Sequence, residues 1–258
     1  YITKGKPTKN AILFFHGYTS SPQQYAPLGE LCHKKGWNVF IPRVPHHGHK
    51  TRIDESTRKL TQDELVEFAN SSLNLALALG ENIIVSGLSM GGVLTTYLAQ
   101  TRSEIGKAVA VAPAMGFHEV PNFLLPLVMK YTLFRPDYMR WWNAEEKEND
   151  PGPQYAYAWF SAHGLAHITN LGFETMQLAR SQPPATNDIW MVVTDNDESV
   201  NNTNAGKLVA SWKKTKPGAI HEYRFPKEMG LIHDLISVEQ PKQQVDQVYP
   251  KLMEIFES

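Results

Sequence analysis

The sequence predicts an α/β domain, a mostly parallel sheet with helices on both faces and a small inserted cap. Short, nearly continuous apolar runs recur along the chain with helical stretches between them, as expected for parallel strands buried on both faces. One run leads straight into a G-x-S-x-G sequence that opens a helical stretch, the setting of a sharp strand-to-helix turn. A single aromatic-rich segment, 116–170, breaks the alternation.

Taken in order, the apolar runs fall at 11–15, 37–41, 83–85, 108–111 and 189–193. A sixth, 221–225, alternates polar and apolar residues and reads as an edge strand. Helices are expected over 24–35, 61–79, 203–213 and 241–256, and 92–99 has helical apolar spacing. The segment 116–170 carries Phe117, Phe123, Tyr131, Trp141, Trp142 and Phe160 among its aromatics and a polar, proline-bearing stretch at 145–153. We read it as a cap inserted between two core parts, 1–115 and 171–258; an apolar pocket would lie beneath its aromatics.

With 258 residues, 42% hydrophobic and 20% charged, the chain suits one large globular domain or a domain with an insertion. The formal net charge of −1 provides no field favouring nucleic acid or an anionic membrane surface, so no nucleic-acid partner is expected. Cys32 is the only cysteine, which excludes an internal disulfide and suits a space-filling role in a helix. No stretch approaches the ~18 uninterrupted apolar residues of a membrane helix. The densest run, 123–129, is broken by Pro126; on the cap it would allow transient contact with a lipid surface. The chain begins at Tyr1. A cytoplasmic location is the expectation, with a removed leader the alternative; oligomeric state is not readable.

The chemistry centres on Gly87-Leu88-Ser89-Met90-Gly91. A serine hydroxyl is a weak nucleophile at neutral pH and needs a base, with a third group to orient that base. Of ten histidines, His233 alone follows the last candidate strand and precedes the last helix, where the order serine, acid, histidine would put the base. The acid should follow the run 189–193, where Asp195 and Asp197 compete. We prefer Asp197, because in Asp197-Glu198-Ser199-Val200 the valine can turn inward and pin the loop, leaving Asp195 as a turn residue. Negative charge developing on a substrate carbonyl oxygen would meet two backbone N–H groups, from Met90 and from Tyr18, with Gly17 letting the backbone approach. His16 reads as a brace for that loop.

These motifs, with Phe15-His16-Gly17-Tyr18-Thr19 and Ile232-His233-Asp234, resemble the serine α/β-hydrolases, most closely the bacterial carboxylesterase and monoacylglycerol lipase branch, over nearly the whole length. The resemblance implies the α/β-hydrolase fold and Tyr18 as N–H donor. The substrates it implies are small acyl esters of short to medium chain length, extending to monoacylglycerols. Pro42-Arg43-Val44-Pro45-His46-His47-Gly48-His49 is similar to a family loop ending in Gly-His but carries three histidines. No carboxylate or cysteine is interleaved with them, so no metal is expected, and no cofactor. The same triad would serve an acyltransferase or a hydrolase of thioesters, amides or carbon–carbon bonds. A lipid-binding module without turnover is the non-enzymatic alternative.

Overall fold

The computed structural model describes residues 5–258; Tyr1 lies outside them. The elements are β1 (Thr8–Phe15), α1 (Ala26–Lys34), β2 (Asn38–Phe40), α2 (Gln62–Ala76), β3 (Gly80–Leu88), α3 (Met90–Thr101), β4 (Lys107–Val111), α4 (Leu125–Phe134), β5 (Met139–Trp141), β6 (Trp159–Ser161), α5 (Ala162–Ser181), β7 (Ile189–Thr194), α6 (Thr203–Thr215), β8 (Ile220–Phe225) and α7 (Val245–Glu257). Six strands form one sheet in the order β2-β1-β3-β4-β7-β8, and β5 pairs with β6 in a separate hairpin. Every pairing in the large sheet is parallel. β8 is one of its two outer strands, as the alternation at 221–225 predicts.

The sheet divides the core by residue parity. From β1, Ala11, Leu13 and Phe15 enter the cluster formed with α2, α3, α5 and α6, whereas Ile12 and Phe14 enter the cluster formed with α1 and α7. Both faces of the strand are therefore apolar, which is why its sequence is a run rather than an alternation. Cys32 sits buried in the second cluster, where burial pushes its thiol up to about 12, out of reach of thiolate chemistry at neutral pH.

The first helix starts differently from the sequence reading, and the second starts where expected, each for local reasons. The stretch expected from 24 opens with a 3-10 turn, Pro22–Tyr25, before α1. α2 starts where Thr61 and Glu64 form a reciprocal capping box. α5, not anticipated as an element, is a 20-residue helix running unbroken through position 170 and packing on α3 and α4. Among the described residues no helix is long and apolar enough to cross a membrane.

The strand order locates the site. β1 is flanked by β2 on one side and β3 on the other, so the connections out of this pair leave in opposite directions and open a crevice at their carboxyl ends. Phe15 is level with Gly87 in the register, which brings the loops following these two strands side by side.

Candidate active site

Ser89 stands between β3 and α3 at φ 58, ψ −112. A non-glycine residue there costs on the order of 1–3 kcal/mol and persists only where the surroundings enforce it. The enforcement is visible. Ser89 N–H donates to Val111 O (2.9 Å), and Ser89 O accepts from Val93 N–H (3.0 Å) and Ala114 N–H (3.2 Å). A Cβ at Gly91 would overlap the Phe15 carbonyl, and one at Gly87 would overlap the Gly91 backbone. The two glycines thus let α3 start directly against β1 and β3.

His233 lies in the loop after β8, and its Nδ1 is 2.7 Å from Asp197 Oδ2. With Nδ1–H donating to the carboxylate, Nε2 is left free to act as acceptor. Asp197 Oδ1 accepts from Ser199 N–H (2.9 Å) and Val200 N–H (2.8 Å), and Val200 is buried with a β-bridge to Phe117. Burial works against both charged forms, yet mutual attraction outweighs it. Asp197 is held below the usual carboxylate range by His233, their hydrogen bond and the two backbone N–H groups. His233 is held above the usual histidine value by Asp197, with Asp234 adding to the effect. Asp195 instead pairs with Arg224 (2.8 Å), both partly exposed.

Ser89, His233 and Tyr18 line one cavity of about 560 Å³, within the usual range for small-molecule sites. Its walls include Phe117, Val128, Met129, Phe160, Leu165 and Ile168, together with the polar side chains of Arg52 and Asn143. Met90 turns its buried side chain into the core. As the first residue of α3, it has an N–H with no helical carbonyl to bond.

The loop after β1 is tied from several directions. Val44 N–H donates to His16 Nε2 (3.1 Å), so the proton sits on Nδ1, which donates to Gly17 O (2.9 Å). Burial lowers His16 to about 4, keeping the ring neutral as this acceptor role requires. Tyr18 OH donates to Ser161 O (3.0 Å). Thr19, at φ 62, accepts from Trp142 Nε1–H through Oγ1 (2.9 Å) and from Tyr157 N–H through its carbonyl (2.8 Å).

The three histidines of the 42–49 loop do not converge. His46 faces Glu64 (3.1 Å), buried His47 bonds the Pro45 carbonyl (2.8 Å) and stacks on Tyr157, and His49 N–H donates to the Tyr157 hydroxyl (3.0 Å).

Three site residues are given no role by the sequence reading: His118, Gln24 and Asp234. His118 Nε2 donates to the Asp197 carbonyl (2.8 Å). Gln24 accepts from Gly17 N–H (2.7 Å) and donates to Asp234 Oδ2 (3.0 Å). His118 and Gln24 sit in no motif, and Asp234 stands in one only as the neighbour of His233, so their roles are found only once the chain is folded.

The alpha/beta hydrolase family profile matches residues 12–245. A thermostable monoacylglycerol lipase from Bacillus sp. (strain H-257) is 33% identical over 123 residues, 44% of this chain. The match spans about half (48%) of that lipase's own length. Among solved structures, one from work on the metagenome-derived lipolytic enzymes LipS and LipT superposes with TM-score 0.72 at 17% identity, covering all of both chains. The Paleococcus ferrophilus monoacylglycerol lipase superposes with TM-score 0.70 at 17% identity, over 98% of this chain and 97% of that one. Fold, strand order and profile agree: the chain belongs to the alpha/beta hydrolase family.

Proposed function

We propose that this protein hydrolyses carboxylic esters through an acyl-enzyme on Ser89. The observation that carries the reading is the pairing of Asp197 with His233 at 2.7 Å on the cavity that Ser89 also lines, with the serine in a strained conformation. In this reading His233 Nε2 takes the proton from Ser89 Oγ as the oxygen attacks the ester carbonyl, and Asp197 stabilises the imidazolium. The N–H groups of Tyr18 and Met90 meet the developing oxyanion. His233 then protonates the departing alcohol, and water, activated by the same imidazole, releases the acid and restores the serine.

The segment 116–170 acts as the cap, and its apolar side chains in the cavity receive the acyl chain. Leu127, Tyr131 and Phe134 share one exposed face of α4, with Phe123 just before it. That face rests transiently on a lipid surface, where acyl esters such as monoacylglycerols reside. The Bacillus lipase supports this substrate class.

A p-nitrophenyl ester series of increasing acyl length, run on wild type and Ser89→Ala in parallel, tests the reading. We expect turnover with a chain-length optimum, lost by on the order of 10⁴ or more in the variant. Equal rates in the two proteins, or none at any length in the wild type, would overturn it.

A further inference from the structure

We propose that Gln24 and Asp234 are positioning residues that lock the oxyanion loop at Gly17 to the loop carrying His233, so that the N–H donor and the base stay in register. This rests on the ester-hydrolase reading above and adds two residues to its machinery. Gln24 is buried, 4% exposed, in the 3-10 turn after the oxyanion loop. Its amide has only one satisfying orientation, with Oε1 on Gly17 N–H (2.7 Å) and Nε2 on Asp234 Oδ2 (3.0 Å), because reversal would set donor against donor and acceptor against carboxylate.

Asp234 is anchored in turn. Oδ1 accepts from Ile236 N–H (3.1 Å) and Ser237 N–H (3.0 Å), while Oδ2 also accepts from Ser237 Oγ (2.6 Å) and Gln240 Nε2 (3.4 Å). The carboxylate therefore belongs rigidly to the turn that follows His233, and Gln24 is the strut from that turn to the oxyanion loop. The carboxylates acting on His233 are Asp197 and Asp234. The phenols of Tyr25, Tyr155 and Tyr249 lie in the field of Asp234, and burial first, then that charge, keeps them protonated. A displacement of about 1 Å between reacting groups can cost on the order of 10² in rate, so a strut between them affects turnover without touching substrate.

The test is steady-state kinetics and pH profiles of Gln24→Met, which keeps length and removes both bonds, and of Asp234→Asn, which keeps shape and removes the charge. For Gln24→Met we expect kcat to fall roughly 10- to 100-fold with KM within about twofold. For Asp234→Asn we expect a similar fall, with the acid limb of kcat/KM moved to lower pH, whereas the limb stays in place in Gln24→Met. Thermal unfolding of each variant separates misplacement from misfolding, and Asp234→Asn still decides by its pH limb if Gln24→Met folds poorly. Wild-type kcat and an unmoved limb in both variants, beside an active wild type and an inactive Ser89→Ala, would overturn the strut and leave the hydrolase reading standing. A wild type that neither turns over esters nor acylates would remove both.

Discussion

The turn at Ser89 and the segment carrying α4, β5 and β6 face each other across one cavity, yet they are built in opposite ways. At the turn the constraint is backbone against backbone: glycines admit the Phe15 carbonyl and the start of α3, and Ser89 is fixed by three main-chain hydrogen bonds. In the segment above, contact with the loop after β1 has one main-chain bond, Tyr157 N–H to the Thr19 carbonyl, and otherwise runs through side chains, by way of Trp142 on Thr19 and Tyr18 on the Ser161 carbonyl, with large apolar groups left exposed on α4. Backbone contact fixes a position that no rotamer can relax, which suits a nucleophile. Side-chain contact can be repacked, which suits a wall that selects substrates.

The comparison breaks first if Gly91→Ala is tolerated. The new Cβ would overlap the Phe15 carbonyl, which is backbone and cannot swing aside, so we expect loss of ester turnover and destabilisation of about 3 kcal/mol or more, read by thermal unfolding and assay. A second test uses the two aspartates after β7. Asp197→Asn should lower kcat on the order of 10⁴-fold by stabilising the wrong tautomer. Asp195→Asn, which only frees a surface pair with Arg224, should leave kcat within about twofold; the reverse pattern would reassign the acid.

Between the two regions lie His16 and His47, packed ring to ring, with His47 also stacked on Tyr157. Burial lowers them to about 4 and about 3 from the ordinary value of 6.5. Both are neutral above pH 6.5 in either state. As pH falls below 6.5 the unfolded chain binds protons that the folded chain refuses, so their stabilising contribution is lost progressively on acidification down to the folded values. Denaturant unfolding between pH 7 and 4 should therefore show stability falling by several kcal/mol, and His47→Gln should flatten the slope. The smallest effect is expected at the side-chain contact. Trp142→Phe removes the bond to Thr19 but keeps a ring against Phe160, and should change KM a few-fold with kcat nearly unchanged.

Legibility in the sequence follows the same division. The strands at 11–15, 83–85 and 108–111 are readable because burial on both faces leaves no polar residue to interrupt them, and the glycines beside Ser89 are readable because backbone contact admits no other residue. α5 is obscured because its Gly164 and Gly172 look like helix breakers in isolation. In the fold they are the sites where Tyr18 and Met115 press on the helix, and a Cβ at Gly164 would overlap the Tyr18 hydroxyl. Gln24 and His118 leave no local signature, and Asp234 shows only as the neighbour of His233, since each gains its role from a partner at least 79 residues away. Asp197 is an intermediate case: its spacing to Val200 is local, but its preference over Asp195 is explained by the hydrogen bond to His233.

The most direct test of the account is reaction with a fluorophosphonate, followed by intact-mass and peptide mass spectrometry on the wild type and His233→Ala. The account predicts one adduct per chain, located on Ser89, forming at least 10²-fold more slowly in the variant for want of its base. No adduct in a wild type that hydrolyses esters, or an adduct on another residue, would contradict the assignment of Ser89 as the nucleophile.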